Sequence, residues 1–338
     1  MSQSTIMGYA AMAKGQPLEP FNYTPPTLGE HDVRVSITHC GGCYTDILGI
    51  DDYYGISTFP FVPGHEIVGR VSEIGNLVSE LKVGDRVGIG WQGRSCMQCE
   101  WCLQGEEQLC QDIDNCGTWK PYGGFSSSVV VDSRFAYHLP EAMRPENAAV
   151  LMCAGISVYA PLRLYVTGAS QRVGVIGIGG LGHLAIQFAH ALGCEVTAIS
   201  SSPRKKKEAF KFGADDFILI DDESAMQQAT LSFDLLLYTS HGKGDWTPLV
   251  NSLKTKGRLV VIGFSEGLVT FDPLELVVHQ TSITGSLIGS RATMREMLSF
   301  AQDHRIMPKV ELMPMTQVNE AIRKVKANEA HYRIVLVR

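Results

Sequence analysis

Long apolar runs are missing from this chain. Nowhere do 18 or more apolar residues follow one another unbroken, and Met1 to Lys14 has no basic stretch leading into an apolar core. Neither a membrane-spanning helix nor a secretory leader is expected, and the chain reads as a soluble, cytoplasmic protein. Excess basic charge is missing as well. Lys plus Arg number 29 against 35 Asp plus Glu, a net charge of -6, and Arg204-Lys205-Lys206-Lys207 is the one dense basic run. Nucleic acid and membrane surfaces are therefore not expected partners. Repeats, low-complexity tracts and long linkers are also absent, which excludes solenoids and disordered scaffolds.

What remains is ordinary globular material. The composition is 45% apolar and 19% charged, with 34 Gly and 15 Pro scattered rather than periodic. The 338 residues are enough for two hydrophobic cores at the usual ~150 residues per domain. The nine cysteines are unevenly placed: Cys96, Cys99, Cys102 and Cys110 fall within 15 residues, and the others lie far apart. In a chain with no leader, such clustering points to metal before disulfides.

Two patterns divide the chain. From about Asp32 to Val131, short β-type runs (Val33–Ile37, Ile67–Val71, Arg86–Ile89, Ser128–Val131) are broken by Gly and Pro, the pattern of a twisted antiparallel sheet or partial barrel. After about Val150, strands and helices alternate. Val173 to Ile178 reads as a strand, Leu181 to Leu192 as a helix, Glu195 to Ser200 as a strand and Pro203 to Phe212 as a helix. Phe233 to Tyr238 and Arg258 to Ile262 follow as strands, with a helix over Trp246 to Leu253 between them. This alternation predicts a doubly wound parallel α/β sheet. Helices over Ala292 to Asp303 and Val318 to Ala327, then a strand over Tyr332 to Val337, would close back on the first domain. The nucleotide domain, 151–288, is then an insertion between 1–150 and 289–338.

Gly177-Ile178-Gly179-Gly180-Leu181-Gly182 lies directly after a predicted strand and opens a helix. In that context the glycines permit a tight turn, close approach of a pyrophosphate and close helix–strand packing at a helix N-terminus. About 20 residues on, an NAD site places an acid at the end of the second strand. Here Ser200-Ser201-Ser202 is followed by Pro203, Arg204 and Lys205. Hydroxyls and cations suit a 2′-phosphate, so the expected cofactor is NADP(H). The charge run could equally be the solvated start of a helix, and the missing acid is the stronger half of the argument.

Cys96, Cys99, Cys102 and Cys110 follow C-x2-C-x2-C-x7-C, four soft ligands for one tetrahedral ion. Zinc is the natural ion and, with no open position, its role is structural; iron–sulfur clusters also use four cysteines, with other common spacings. Cys43, His65 and Cys153 sit singly in Gly-flanked turns, with Glu66 beside His65. Three such ligands suffice for a catalytic zinc. A lone cysteine is more often a small buried apolar residue, so spacing alone does not join these three.

In order, the chain carries Gly64-His65-Glu66-x2-Gly69-x5-Gly75-x2-Val78, the four-cysteine loop and the glycine turn. Together these resemble the zinc-dependent alcohol dehydrogenases of the medium-chain dehydrogenase/reductase superfamily. Cys43-Tyr44-Thr45-Asp46, Leu151-Met152-Cys153-Ala154-Gly155 and Ser200-Ser201-Ser202 are most similar to the cinnamyl alcohol dehydrogenase branch, which includes bacterial NADPH-dependent aldehyde reductases. The resemblance spans essentially the whole chain and implies a Rossmann domain inserted into a mainly-β GroES-like catalytic domain. It implies that Cys43, His65 and Cys153 hold a catalytic zinc, with Glu66 shaping or transiently joining the site, so that each chain holds two zinc ions. Asp46 would orient His65, and Thr45 would offer its hydroxyl to substrate and cofactor. Ser157, Thr239, Gly263, Ser286, Leu287 and Ile288 would line the nicotinamide half of the cofactor site. Trp91, Trp119, Leu287 and Ile288 are candidate substrate-pocket walls, favouring apolar aromatic, terpenoid or medium aliphatic aldehydes and alcohols, and could equally be core filling.

Two positions depart from the family pattern. Many relatives carry His or Arg after the ligand cysteine and His five residues beyond it; this chain has Tyr44 and Leu48. Leucine carries no proton, so an exit by way of Thr45, the ribose hydroxyl and water is expected instead. Competing readings are a zinc-free quinone or enoyl reductase on the same fold and a non-catalytic NADPH-binding redox sensor. An apolar strand over Thr281 to Leu287 at the edge of the nucleotide sheet predicts a homodimer.

Overall fold

The computed structural model describes residues 5–118, 122–242, 244–263 and 267–338. It separates into two compact units: Met1–Cys153 with Gly289–Ser299 and Pro308–Arg338, and Ala154–Ile288 with Phe300–Met307. The second unit is thus inserted into the first. The sequence boundaries at 150/151 and 288/289 differ from this division in one respect of substance: Phe300–Met307 packs with the inserted unit. The reason is local. Gln187 and Met307 exchange hydrogen bonds, side-chain amide to backbone carbonyl and backbone N–H to side-chain oxygen, both 3.1 Å. The Phe300 ring also lies 5.3 Å from that of Tyr159 and 6.1 Å from that of Phe188.

The first unit is built on a seven-stranded sheet. Its organising element is the 11-residue strand Asp32–Gly42. One edge pairs antiparallel with Glu66–Ile74, which in turn pairs with Arg86–Ile89 and so reaches Ala136–His138. The other edge is shared, with Ser128–Asp132 pairing along residues 32–36 and the C-terminal strand Arg333–Val337 along residues 39–42. Val310–Pro314 runs parallel to that last strand. Apolar/polar alternation stops at Ile37, which is why a shorter strand was expected; the extension exists because Arg333–Val337 supplies its partner. Alternate residues Val33, Val35 and Ile37 enter a core with Ile67, Val87, Val129 and Phe125. The hairpin Ile6–Ala11 with Leu18–Tyr23, which no alternation announces, packs onto this core.

Asn319 fastens that hairpin to the C-terminal helix Val318–Lys326. Its Oδ1 accepts from the Leu18 N–H at 2.8 Å and its Nδ2 donates to the Leu18 carbonyl at 2.9 Å. Asn319→Ala leaves both part-buried backbone groups unpaired and should lower unfolding free energy by about 2 kcal/mol in urea titrations, without changing active-site metal content.

The second unit carries six parallel strands in the spatial order Asp216–Leu219, Glu195–Ser200, Arg172–Ile176, Phe233–Tyr238, Leu253–Val261, Ser282–Gly285. This is the doubly wound Rossmann arrangement. The direction of winding reverses between Arg172–Ile176 and Phe233–Tyr238, where open α/β sheets take their ligands. Expected elements appear with shifted ends, and the strand expected over Arg258 to Ile262 begins already at Leu253. The helix over Trp246 to Leu253 shortens to Thr247–Asn251, because Pro248 fixes its first turn and Leu253 already belongs to the strand Leu253–Val261. Pro203 to Phe212 begins as a 3-10 turn, Pro203–Lys205, before Lys206–Lys211 becomes helical.

The 21-residue helical stretch Pro145–Tyr165 leads from one unit into the other; its composition would suit a bilayer, but 78% of its most apolar window is buried in protein. At Leu151–Gly155 the helix widens into a π-helical turn, and Cys153 lies at its middle. Such turns recur at functional sites because the extra residue redirects a side chain.

Candidate active site

Cys43 stands just before the helix Tyr44–Ile50, and its backbone N–H donates to Asp46 Oδ2 at 2.8 Å. That bond fixes the start of the helix and turns Asp46, fully buried, inward. Asp46 Oδ1 then accepts from the Gly64 N–H at 3.0 Å and faces His65 Nδ1 at 2.9 Å. With Nδ1 committed, the buried His65 Nε2 has no hydrogen-bond partner. One ligand atom each from Cys43, His65, Glu66 and Cys153 lies within 4.8 Å of all the others. Two thiols, an imidazole nitrogen and a carboxylate are the donor set Zn2+ accepts, and the orphaned Nε2 is the atom a metal would satisfy.

Electrostatics agree with that donor set. The Cys43 thiol is held well below its ordinary value by a hydrogen bond from Cys153 and by the positive charges of Arg333 and His65, against the opposing effect of burial. Burial by itself would push His65 down, but the Asp46 carboxylate and Cys43 outweigh it and push the imidazole up to about 10. A field that favours a proton on His65 also favours a divalent cation beside it. Glu66, fully buried, forms an ion pair with Arg333 of the C-terminal strand. Directly across the ladder from Glu66 is Gly41, where a Cβ would lie 2.0 Å from Glu66 Oε2 and 2.9 Å from its Cβ. Only glycine leaves room for this carboxylate.

The four-cysteine loop forms the second cluster, its sulfurs also within 4.8 Å of one another. Cys96 and Cys110 sulfurs are 3.5 Å apart, and Cys96 and Cys102 sulfurs 3.9 Å. Backbone N–H groups of Gln98 and Cys99 pull Cys96 down to about 7. Four converging thiols with no fifth donor suit a closed tetrahedral site.

In the inserted unit, Gly177 follows the central strand with φ +87°, a left-handed turn residue. A Cβ on Gly182 would lie 1.8 Å from the Gly177 carbonyl oxygen, so the helix Gly182–Ala191 approaches the strand as only glycine allows. A Cβ on Gly179 would meet nothing within 4 Å, leaving open space over the turn at the helix N-terminus where a pyrophosphate fits. Thr239 Oγ1 lies 2.7 Å from the Gly177 carbonyl and 2.9 Å from that of Ile176.

Family models place this geometry among known proteins. Residues 29–141 match the alcohol dehydrogenase GroES-like domain, and residues 180–303 the zinc-binding dehydrogenase domain. Aldehyde reductase AdhA of Synechocystis is 39% identical over 336 residues, covering 98% of both chains. The chain belongs to the zinc-binding alcohol dehydrogenase family. It is accordingly an oxidoreductase. NADP-dependent alcohol dehydrogenase C 1 of Mycolicibacterium smegmatis is 36% identical over 98% of both chains. A cinnamyl alcohol dehydrogenase structure from Sorghum bicolor superposes with a TM-score of 0.95 at 35% identity, covering 99% of this chain and 98% of that one.

Within this dehydrogenase the expected residues are placed as follows. Cys43, His65, Glu66 and Cys153 converge, and Thr45 sits beside them, its hydroxyl 3.6 Å from the Cys43 sulfur. Ser157 and Ile178 are buried in the inserted unit; Gly180 and Leu181 are half-buried in the glycine turn. At the end of the second strand, Ser200 is buried and its hydroxyl accepts from the Ser202 N–H at 3.1 Å, which leaves Ser201 and Arg204 as the solvent-facing groups beside half-buried Ser202 and Lys205. A Cβ on Gly263 would lie 2.3 Å from the Ser240 carbonyl. Of the pocket candidates, Trp91 is buried in the first unit, Leu287 is 41% exposed in the second, Ile288 has φ +36° and Trp119 lies outside the described residues. Sequence reasoning missed Arg333, whose signal is a charged residue opening an otherwise apolar terminal strand.

Asp46→Asn tests the second link of the metal site. The amide cannot match a carboxylate as acceptor from both His65 Nδ1–H and two backbone N–H groups, so zinc affinity and turnover should each fall about 10- to 100-fold, read by competition with a chromogenic chelator and by initial rates.

Proposed function

We propose that the protein catalyses reversible hydride transfer between NADP(H) and a primary alcohol/aldehyde pair, acting on apolar aromatic, terpenoid or medium aliphatic aldehydes. The observation that carries this reading is the convergence of Cys43, His65 and Cys153 at the end of the first unit's sheet, in a chain whose other unit has a nucleotide-binding turn. Cys43, His65 and Cys153 would hold one zinc, with Glu66 beside it; Cys96, Cys99, Cys102 and Cys110 would hold another. Zinc at the first site supplies Lewis-acid polarisation of a carbonyl, and the nicotinamide supplies the hydride.

The chain's own residues do the rest. Asp46 fixes the His65 tautomer by accepting from Nδ1–H, so Nε2 keeps its lone pair for the metal. Thr45 delivers the proton to the substrate oxygen and takes it back in the reverse direction. Leu48, 3% exposed, offers no proton-carrying group five residues after Cys43, so the Thr45 hydroxyl would be the group of this helix that holds the proton beside the ligands. Ser201, Ser202, Arg204 and Lys205 offer hydroxyls and positive charge to a 2′-phosphate that a carboxylate would repel. A zinc-free quinone or enoyl reduction leaves the assembled ligands without a use.

A homodimer accompanies this reading. Ser282–Gly285 is the edge strand of the parallel sheet, and the neighbouring helix Pro273–His279 exposes Leu274, Val277 and Val278 at 59%, 73% and 61%. An open edge beside exposed apolar residues favours symmetric pairing. Sedimentation at micromolar concentration should give twice the chain mass; a monomer would remove the proposal.

The deciding experiment is zinc content per chain with initial rates of cinnamaldehyde reduction by NADPH and by NADH. Two zinc ions with NADPH preferred at least about tenfold is the expected result. One zinc, retained in Cys43→Ser, with no aldehyde reduction, would overturn it.

A further inference from the structure

The helix Gly182–Ala191 buries Leu184, Ala185, Ile186, Phe188 and Ala189 and, at its second position, one fully buried imidazole, His183. A polar ring in such surroundings is tolerated only where it is hydrogen-bonded. His183 Nδ1 lies 3.0 Å from the Gly179 carbonyl oxygen, and since a carbonyl only accepts, the proton is on Nδ1. The ring is held from a second direction by Phe212, the residue after the helix Lys206–Lys211, with 5.5 Å between centroids and 62° between planes. His183, Gly179 and Phe212 all belong to the inserted unit.

The bonded carbonyl lies in the middle of the glycine turn itself. A trans peptide is planar, with C=O and N–H pointing opposite ways, so a fixed Gly179 carbonyl also fixes the direction of the Gly180 N–H. Local sterics do not hold this peptide: reversing it turns ψ of Gly179 and φ of Gly180, and glycine at both positions accepts either orientation. The His183 backbone N–H donates to the same carbonyl at 3.2 Å, a bond any residue but proline could make, whereas the shorter bond needs this side chain. The turn is open at this point, where Gly179 is exposed and a Cβ on it would meet nothing within 4 Å.

We propose that His183 is a positioning residue for the cofactor: its Nδ1–H keeps the Gly179–Gly180 peptide in one orientation, so that the Gly180 N–H stays on the side opposite the imidazole as a donor for the pyrophosphate. The proposal rests on the cofactor reading above. Without that side-chain bond the peptide also samples the reversed orientation, which turns a carbonyl oxygen toward the phosphates. Nucleotide affinity then falls by the fraction of turns set the wrong way, while the metal ligands, none of which lies on this helix, stay assembled.

The test compares three variants: His183→Asn, whose side-chain N–H can fall where Nδ1–H was, His183→Gln, whose N–H falls where Nε2 was, and His183→Leu, which has none. NADPH Kd is read from nucleotide fluorescence, affinity for adenosine 2′-monophosphate, which has no pyrophosphate, by displacement, and zinc content by metal analysis. His183→Gln and His183→Leu should each raise NADPH Kd about tenfold and His183→Asn no more than about threefold, although all three lose the ring contact with Phe212. Affinity for adenosine 2′-monophosphate, kcat at saturating NADPH and zinc content should stay within about twofold of wild type. Unchanged NADPH Kd in His183→Leu, equal losses in the Asn and Leu variants, or a parallel loss of adenosine 2′-monophosphate binding would each leave the imidazole a packing role alone and overturn the proposal. Should His183→Leu fail to fold, His183→Asn against His183→Gln decides. Wild-type protein that binds NADH more tightly than NADPH would bring down the 2′-phosphate assignment, and the same ratios read with NADH would still decide on His183. Wild-type protein that binds neither would bring down the cofactor reading, and this proposal with it.

Discussion

Cys153→Ser is expected to lower aldehyde reduction at least about a thousandfold, to remove one zinc per chain and to leave NADPH affinity within about twofold. Cys153 sits on the π-helical turn Leu151–Gly155, and its sulfur lies within 4.8 Å of the ligand atoms of Cys43 and His65. A serine hydroxyl fits the same space but does not ionise to a thiolate, and it leaves His65 Nε2 and the lowered Cys43 thiol without the cation they are arranged to receive. Hydride donation survives in principle, but the carbonyl is no longer polarised. Circular dichroism and the melting temperature should change little, since the substitution is nearly isosteric. Activity within about tenfold of wild type would show that metal is not used in the reaction and would favour the zinc-free reductase chemistry.

Cys102→Ser should act on stability instead, lowering the melting temperature by about 10 °C and producing aggregation on heating. Around this loop the regular elements are only the four-residue helix Glu100–Leu103 and the turn Glu107–Leu109. Few apolar side chains are buried there: Leu103 is 75% exposed, Leu109 41% and Trp101 36%. A loop that buries so little of its apolar surface would gain much of its order from an ion shared by the four sulfurs. Removing one ligand opens the closed coordination shell, and the exposed apolar residues then meet other molecules. A chelator should lower the melting temperature of wild type by a similar amount and add little to the loss in Cys102→Ser. If Cys102→Ser melts as wild type does, the loop stands without metal.

Much of the fold was legible because the inserted unit repeats a local rule. Arg172–Ile176, Glu195–Ser200 and Asp216–Leu219 are short strands each followed directly by a helical segment, and the glycine turn sits where the first strand yields to its helix. The first unit was legible only in fragments. Its longest strand, Asp32–Gly42, takes partners from residues 66–74, 128–132 and 333–337, and no local period announces pairings that distant. The same fact explains the sites. The four cysteines were found from spacing because one loop holds them all. Cys43, His65 and Cys153 could be joined only through family resemblance, since a helix start, a strand start and a π-helical turn bring them together. Arg333 was missed because it pairs with a carboxylate, Glu66, from the far end of the chain.

The close approach of Gly41 to Glu66 has an evolutionary consequence. Because the two residues face each other across one ladder position, with no room for a methyl group between them, they can change only as a pair. A relative with alanine at the first position should carry a shorter side chain than glutamate at the second. Such a protein would lose the buried partner of Arg333, so a neutral residue would be expected at the third position too. Three sites from the two ends of the chain would then drift together, a covariation signal readable in sequences alone.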